Sequence, residues 1–313
     1  MRIQTFSIVV GTRACNASCP FCVSHMTGFD EIPKRGEIYV PNFDKACRLA
    51  QMNGSTTVLM TGKGEPTLYL EEVTDYLLLL ERWNFPLIEL QTNALDIGWL
   101  AQGGVARDSK HLTREVLEQW RALGLNTIAI SVVSEQARHN AGVYLGRSSH
   151  ADYPDLATTV AYLHRIGFTV RLCVMMQKDA VDTPERVEEL INFCRRHEVD
   201  QLTIRPIRRP LAPTHSDEAS QYVDDRGLDE HEIAAISEWI EQAGTRLMSL
   251  MHGAAVYDVG GQNVCLSDCL TIDPSGDDIR TLIFYSDGRL AYDWQYDGAV
   301  ILRGVESAAT SGR

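Results

Sequence analysis

The chain has 313 residues, 44% of them hydrophobic, and carries 29 basic against 42 acidic residues for a formal net charge of −13. That acidic balance argues against broad contact with a phosphate backbone, so no polynucleotide partner is expected. No run approaches the 18 or so apolar residues of a membrane span, and Met1-Arg2-Ile3-Gln4-Thr5-Phe6 lacks a signal-peptide pattern, so no membrane association and a cytoplasmic location are expected.

Ser7-Ile8-Val9-Val10-Gly11 is a short apolar run with β-branched residues and predicts a buried strand. It delivers the chain into Cys15-Asn16-Ala17-Ser18-Cys19-Pro20-Phe21-Cys22. A C-x₃-C-x₂-C spacing brings three thiolates onto one short loop, the soft ligand set that iron–sulfur clusters and zinc both take. Structural zinc wants four protein ligands, and His25 is the near candidate for the fourth, whereas three ligands suit a cluster with one iron left open. A disulfide would leave one cysteine over. The remaining cysteines, at 47, 173, 194, 265 and 269, are scattered in the manner of a reducing compartment.

Residues 25–42, with Gly28, Pro33, Gly36 and Pro41, read as a loop or lid. Helix is predicted from Phe43 to Met52, Leu70 to Trp83, Leu112 to Leu123, Pro154 to Ile166 and Pro184 to His197. Between these lie predicted strands at 57–61, 87–91, 127–131, 169–176 and 201–205. Six strands alternating with helices imply a parallel sheet, because parallel neighbours need crossover connections. Six units fall short of a closed eight-unit barrel, so the expected fold is α/β, a partial (β/α)6 TIM barrel over residues 1–210. Residues 211–313 are expected to form a small α+β extension capping the barrel: a long helix from Asp229 to Met251, a loop from Gly253 to Gly261, and a hairpin of 281–285 with 289–293.

Polar residues gather at the predicted C-terminal strand ends, where barrel enzymes place their chemistry. After the second strand stands Thr61-Gly62-Lys63-Gly64-Glu65-Pro66-Thr67, whose glycines Gly62 and Gly64 let backbone approach a ligand while Glu65 offers an acceptor for an ammonium group. Asn93 ends the third strand, as a mouth residue or a turn former. Arg171 lies on the fifth strand, otherwise apolar, and reads either as half of a buried ion pair or as a partner for a ligand carboxylate. Arg205 reaches the mouth on the sixth. The basic stretch through Arg208 and Arg209 either meets an anionic group on a small substrate or is a solvated patch balanced by nearby acid.

The cysteine loop resembles that of the radical SAM superfamily, including the aromatic Phe21 directly before the third cysteine. The resemblance implies that Cys15, Cys19 and Cys22 bind a 4Fe–4S cluster whose open iron chelates S-adenosylmethionine, with Phe21 near the adenine. The 61–67 stretch is similar to the family's Gly-Gly-Glu-Pro segment, with Lys63 inserted between the glycines, and Glu65 would then face the methionyl amine. The stretch Ala129 to Glu135 is similar to the family segment whose serine and acidic residue bind the cofactor's ribose and methionyl ends, which makes Ser131 a cofactor-binding candidate with Ser134 or Glu135 near the ribose. Val133 stands where relatives often have Asp, and Asn93, Arg171 and Arg205 are cofactor-binding candidates from their positions on the strands. The resemblance implies a partial barrel fold and an enzyme that cleaves S-adenosylmethionine reductively to a 5′-deoxyadenosyl radical, which takes a hydrogen atom from substrate. A small-molecule or nucleotide-like substrate is favoured because residues 211–313 offer no obvious separate peptide-recognition domain. A flavodoxin- or ferredoxin-like reducing electron donor is implied as partner. A peptide-modifying maturase is the alternative within the family, and a zinc-stabilised non-catalytic binding protein the alternative outside it. Cys265 and Cys269 look like a degenerate auxiliary-cluster domain, but two thiols are too few for an ordinary second cluster. The 28–41 loop and the C-terminal region are expected to cover the barrel mouth.

Overall fold

The computed structural model describes residues 2–27, 37–146, 153–210, 217–250, 253–267 and 278–305. The six predicted strands are present as β1 (Ile3–Val9), β2 (Thr57–Thr61), β3 (Leu87–Thr92), β4 (Thr127–Val132), β5 (Thr169–Met176) and β6 (Gln201–Pro206), paired in sequence order and all parallel. The helices are α1 (Val23–Thr27), α2 (Val40–Met52), α3 (Leu70–Leu80), α4 (Leu95–Ala101), α5 (Arg114–Ala122), α6 (Ala137–Tyr144), α7 (Leu156–Ile166), α8 (Pro184–Arg196), α9 (Asp217–Arg226) and α10 (Glu230–Ala243). Their starts follow side-chain chemistry: Thr113, Asp155 and Thr183 each accept a first-turn backbone N–H, and Asp229 forms a reciprocal capping box with Glu232.

Period-two alternation divides every strand between two environments. Phe6, Ile8, Val58, Met60, Leu90, Ile130, Leu172, Val174, Leu202 and Ile204 are buried under the outer helices and form the main core. Their neighbours Thr61, Gln91, Ser131, Arg171 and Arg205 are only partly buried and turn toward the interior of the curved sheet. The expected partial barrel is thus an apolar shell around a polar lumen, and the sheet is not closed.

Residues beyond 210 add strands to both sides of this core. β9 (Gln262–Leu266) pairs parallel with β6 and is followed outward by β8 (Ala255–Val259) and β7 (Thr245–Ser249), both antiparallel to their neighbours. β10 (Ile279–Phe284) pairs parallel with β1 on the opposite side, continued by β11 (Leu290–Ala291) and β12 (Val300–Leu302). The predicted hairpin is the β10–β11 pair, with its turn closed by Gly288 N–H donating to Tyr285 O at 2.9 Å. It also pins the start of α2: Tyr39 N donates to Ser286 O (2.9 Å) and Asn42 Nδ2 to Gly288 O (2.9 Å).

Two C-terminal expectations are corrected. The long helix ends at Ala243, because Gly244 is extended (φ −122°, ψ 166°) against β8 and the following residues pair as β7. Sheet pairing overrides the helix propensity of Arg246, Leu247 and Met248. The loop expected over 253–261 is β8 with a two-residue turn, Gly260-Gly261, both at positive φ (58° and 89°), the geometry that joins twisted strands. Most of the 28–41 lid and Cys269 lie outside the described residues.

Candidate functional site

The cysteine loop leaves β1 at the C-terminal end of the sheet and is held there by its neighbours' backbones. Val10 N donates to Thr61 O (2.7 Å), Glu65 N to Ala14 O (2.9 Å) and Ser18 N to Tyr144 O (2.9 Å). Gly11, at φ +71°, lies flat on the Tyr69 ring, where an added Cβ would come within 2.2 Å of Cδ2. Thr12 Oγ1 and Tyr69 Oη share a hydrogen bond of 2.7 Å. Helix α1 begins directly after Cys22, with His25 N and Met26 N donating to the Cys22 carbonyl. Phe21 is buried against Tyr222 of α9, ring centroids 6.2 Å apart, in a second apolar cluster at the barrel mouth that includes Val133, Tyr144, Tyr153 and Met175.

The glycines of the 61–67 segment serve loop-on-loop packing. A Cβ on Gly64 would sit 2.2 Å from Ala14 O and 2.7 Å from Thr12 O, and one on Gly62 would sit 2.8 Å from Val10 O. Glu65 is buried, and both its oxygens accept hydrogen bonds. Oε1 accepts from Thr67 N (3.0 Å), Thr67 Oγ1 (2.7 Å) and Thr92 Oγ1 (2.6 Å), and Oε2 accepts from Asn93 N (2.9 Å). Burial pushes this carboxyl above the usual range, and these four donors pull the other way. Glu65 therefore ties the ends of β2 and β3 together beneath the cysteine loop. Lys63 is buried beside it.

Asn93 is placed against the cysteines. Its Oδ1 accepts from Leu95 N (3.0 Å), while its Nδ2 donates to Asn16 Oδ1 (2.8 Å) and points at Cys15 Sγ (3.8 Å). Ala17 N also donates to that sulfur, at 3.4 Å. Asn16 Nδ2 contacts Asp96 Oδ2 at 3.4 Å, and Asp96, fully buried, accepts the backbone N–H groups of Arg107, Asp108 and Ser109. Sequence reasoning passed over Asn16 and Asp96. Asn16 stood inside the motif among residues read as spacers, and Asp96 follows a strand end in a helix that was not predicted.

The other candidates line the lumen at different depths. Ser131 on β4 lies opposite Cys173 on β5, and Arg205 on β6 opposite Met175, whose sulfur accepts from Arg205 Nε at 3.3 Å. Arg171 sits two residues deeper than Cys173 and forms an ion pair with Glu89 of β3, so of its two readings the buried pair is the one present. Burial pushes the Glu89 carboxyl up, and Arg171 opposes that shift. Beyond β4, Asn140 Oδ1 accepts from Val133 N and Ser134 N, and Ser134 Oγ donates to Glu135 (3.1 Å), which fixes this turn within itself. The basic stretch after β6 is neutralised at the surface: Arg208 pairs with Glu230 (3.0 Å) and Arg209 with Asp224 (2.8 Å).

Three thiols on one loop are a donor set for iron and sulfide, and the two N–H groups aimed at Cys15 Sγ suit a sulfur that carries negative charge. The residues present therefore fit an iron–sulfur cluster. Cys15 keeps an exposed edge, yet the surrounding loops desolvate its sulfur and push the thiol up to about 11. Cys19 is raised too, by burial first and then by Cys22 and Cys15. Iron would thus displace protons from at least two thiols on binding.

A family model described as the Radical SAM superfamily matches residues 9–204. No curated protein matches the chain. Among solved structures, Streptococcus suis SuiB bound to S-adenosylmethionine superposes with a TM-score of 0.56 at 15% identity, over 92% of this chain and 60% of SuiB. AnSMEcpe with bound AdoMet gives 0.56 at 10% identity, over 94% of this chain and 75% of that one. HydG, a maturase of the [FeFe]-hydrogenase, gives 0.50 at 11% identity, over 77% and 50%. At these identities the likeness is one of fold, and the chain spans about three-fifths of the length of SuiB. No helix among the described residues is long and apolar enough to cross a membrane.

Proposed function

Because the chain belongs to the radical SAM superfamily, an enzyme family whose cofactors are a 4Fe–4S cluster and S-adenosylmethionine, we propose that Cys15, Cys19 and Cys22 ligate that cluster at the mouth of the partial barrel. When bound, the group supplies the electron that splits S-adenosylmethionine into methionine and a 5′-deoxyadenosyl radical. The observation that carries the assignment is the packing of the three-cysteine loop onto the Gly62–Glu65 turn and Asn93, at the C-terminal ends of β1, β2 and β3.

In this reading the protein's part is positional. Glu65 and the two glycines hold the cysteine loop at a fixed height over the lumen. Phe21, backed by Tyr222, offers an apolar wall for the adenine. Ser131 and Arg205, partly buried near the C-terminal ends of β4 and β6, are polar groups for the ribose and methionyl ends, with Asn93 beside the cysteines. Arg171, paired with Glu89, lies deeper in the lumen. The core of residues 1–210 carries the cofactors, and residues 211–313 flank it. A one-electron reductant of the ferredoxin or flavodoxin class completes the reaction. The substrate in this reading is a small or nucleotide-like molecule, with a peptide as the alternative.

The test is anaerobic reconstitution with iron and sulfide, followed by S-adenosylmethionine and dithionite, with 5′-deoxyadenosine measured. The parent chain is expected to turn brown and to form 5′-deoxyadenosine. Cys19→Ala is expected to lose iron and to form none. A colourless parent chain, or equal product from Cys19→Ala, would overturn the assignment.

A further inference from the structure

We propose that Asn93 is a positioning residue for the cluster itself: its carboxamide N–H is a hydrogen-bond donor to the Cys15 sulfur that raises the reduction potential of the site. The inference rests on the cysteine assignment above and goes one step past it.

The orientation of the Asn93 amide is settled by its surroundings. Side-chain amides can be turned over without changing their outline, so the direction has to come from partners. Here Oδ1 accepts the backbone N–H of Leu95 at 3.0 Å, which a reversed amide could not do. The NH₂ group is thereby fixed toward the cysteine loop, with one hydrogen on Asn16 Oδ1 (2.8 Å) and the other available to Cys15 Sγ (3.8 Å). The backbone cooperates. Asn93 N is held by Glu65 Oε2, and the next residue, Ala94, is in the left-handed region (φ 54°) with its N–H on Thr92 Oγ1. An alanine gains nothing locally from that conformation, which its Cβ disfavours. It is the conformation that turns the chain from β3 into α4 with Asn93 buried beneath the loop. Asp96, one turn further on, contacts Asn16 from the other side, so the acceptor of the second Asn93 hydrogen is itself anchored.

The electrostatic consequence has a definite sign. Reduction adds one negative charge to a cluster already ligated by thiolates, and N–H donors on a ligating sulfur stabilise the more negative state. Ala17 N is one such donor and Asn93 Nδ2 the second. Removing the second makes the cluster harder to reduce. Replacing it with a carboxylate of the same shape adds repulsion to the lost donor.

The experiment is a redox titration of the reconstituted chain, followed by the electron paramagnetic resonance signal of the reduced cluster, in parent, Asn93→Ala and Asn93→Asp. At a fixed ambient potential the ratio of reduced to oxidised cluster is expected to fall about threefold in Asn93→Ala, which at 59 mV per tenfold is about 28 mV, and about tenfold or more in Asn93→Asp. A second measurement needs no substitution: parent chain labelled with ¹⁵N in its asparagine side chains is expected to show a ¹⁵N hyperfine coupling on the reduced cluster by pulsed resonance. Variants that load iron and titrate at the parent potential would overturn the inference alone, as would absence of that coupling. A parent chain that takes up no iron would overturn the cysteine assignment and this inference with it.

Discussion

Gly64 is where the two halves of the site touch, and Gly64→Ala tests that contact directly. The added Cβ would lie 2.2 Å from Ala14 O and 2.7 Å from Thr12 O, both backbone atoms with no flexible end to swing aside. Close carbon–oxygen contacts settle near 3.3–3.6 Å, so the cysteine loop and the Gly62–Glu65 turn must separate by about 1 Å. That movement breaks the Glu65 N–Ala14 O hydrogen bond, worth about 1 kcal/mol. Overpacking strain adds about 1–3 kcal/mol, for a total near 3 kcal/mol. Cys15 is covalently next to Ala14 and moves with it, whereas metal–ligand distances tolerate only about 0.2 Å. Urea denaturation of the iron-free chain is expected to show the loss in stability, and iron bound after reconstitution is expected to fall by at least half. Gly298→Ala, where an added Cβ meets nothing within 4 Å, is the control and is expected to stay within about 0.5 kcal/mol of the parent. A Gly64→Ala chain with parent stability and full iron would refute the view that this glycine exists for loop packing.

Two further outcomes follow from the buried carboxylates. Glu65→Gln preserves volume but turns an NH₂ toward a donor, either Asn93 N or the threonine cluster, and is expected to cost about 2 kcal/mol in urea denaturation; a variant as stable as the parent would sink its role as a clamp. Arg171→Met leaves Glu89 buried without its cation and is expected to destabilise by about 3 kcal/mol, with Glu89→Gln/Arg171→Met recovering most of the loss. Equal stability of the single variant and the parent would show the pair to be unimportant.

Much of this architecture was legible from local pattern. Apolar β-branched runs such as Thr57-Val58-Leu59-Met60-Thr61 marked the strands because each sits between a helix layer and a lumen. The cysteine spacing marked the site because three thiols on one loop have few other uses. What escaped was set by contacts distant in sequence. Residues 245–249 read as helix, since nothing local signals that they will pair with β8. Gly260-Gly261 did carry a hairpin signal, hidden in a stretch read as loop. The commitment of Glu65 to Thr92 and Asn93 joins residues 27 and 28 positions apart. Arg171 and Glu89 are 82 positions apart, so an arginine on an apolar strand announced a need for a partner without naming it. Asn93 read equally as turn former or ligand; in the structure it caps the turn with its oxygen and faces sulfur with its nitrogen.

The strands that complete both flanks, β9 beside β6 and β10 beside β1, come from residues 262–284. Translation therefore finishes all six strand–helix units before either flank acquires its neighbour. Until then the nascent sheet holds two rows of unpaired amides and carbonyls, the template on which chains join one another. A product stopped near residue 260 would carry both rows at once, and self-association through those open edges is the expected cost of premature termination.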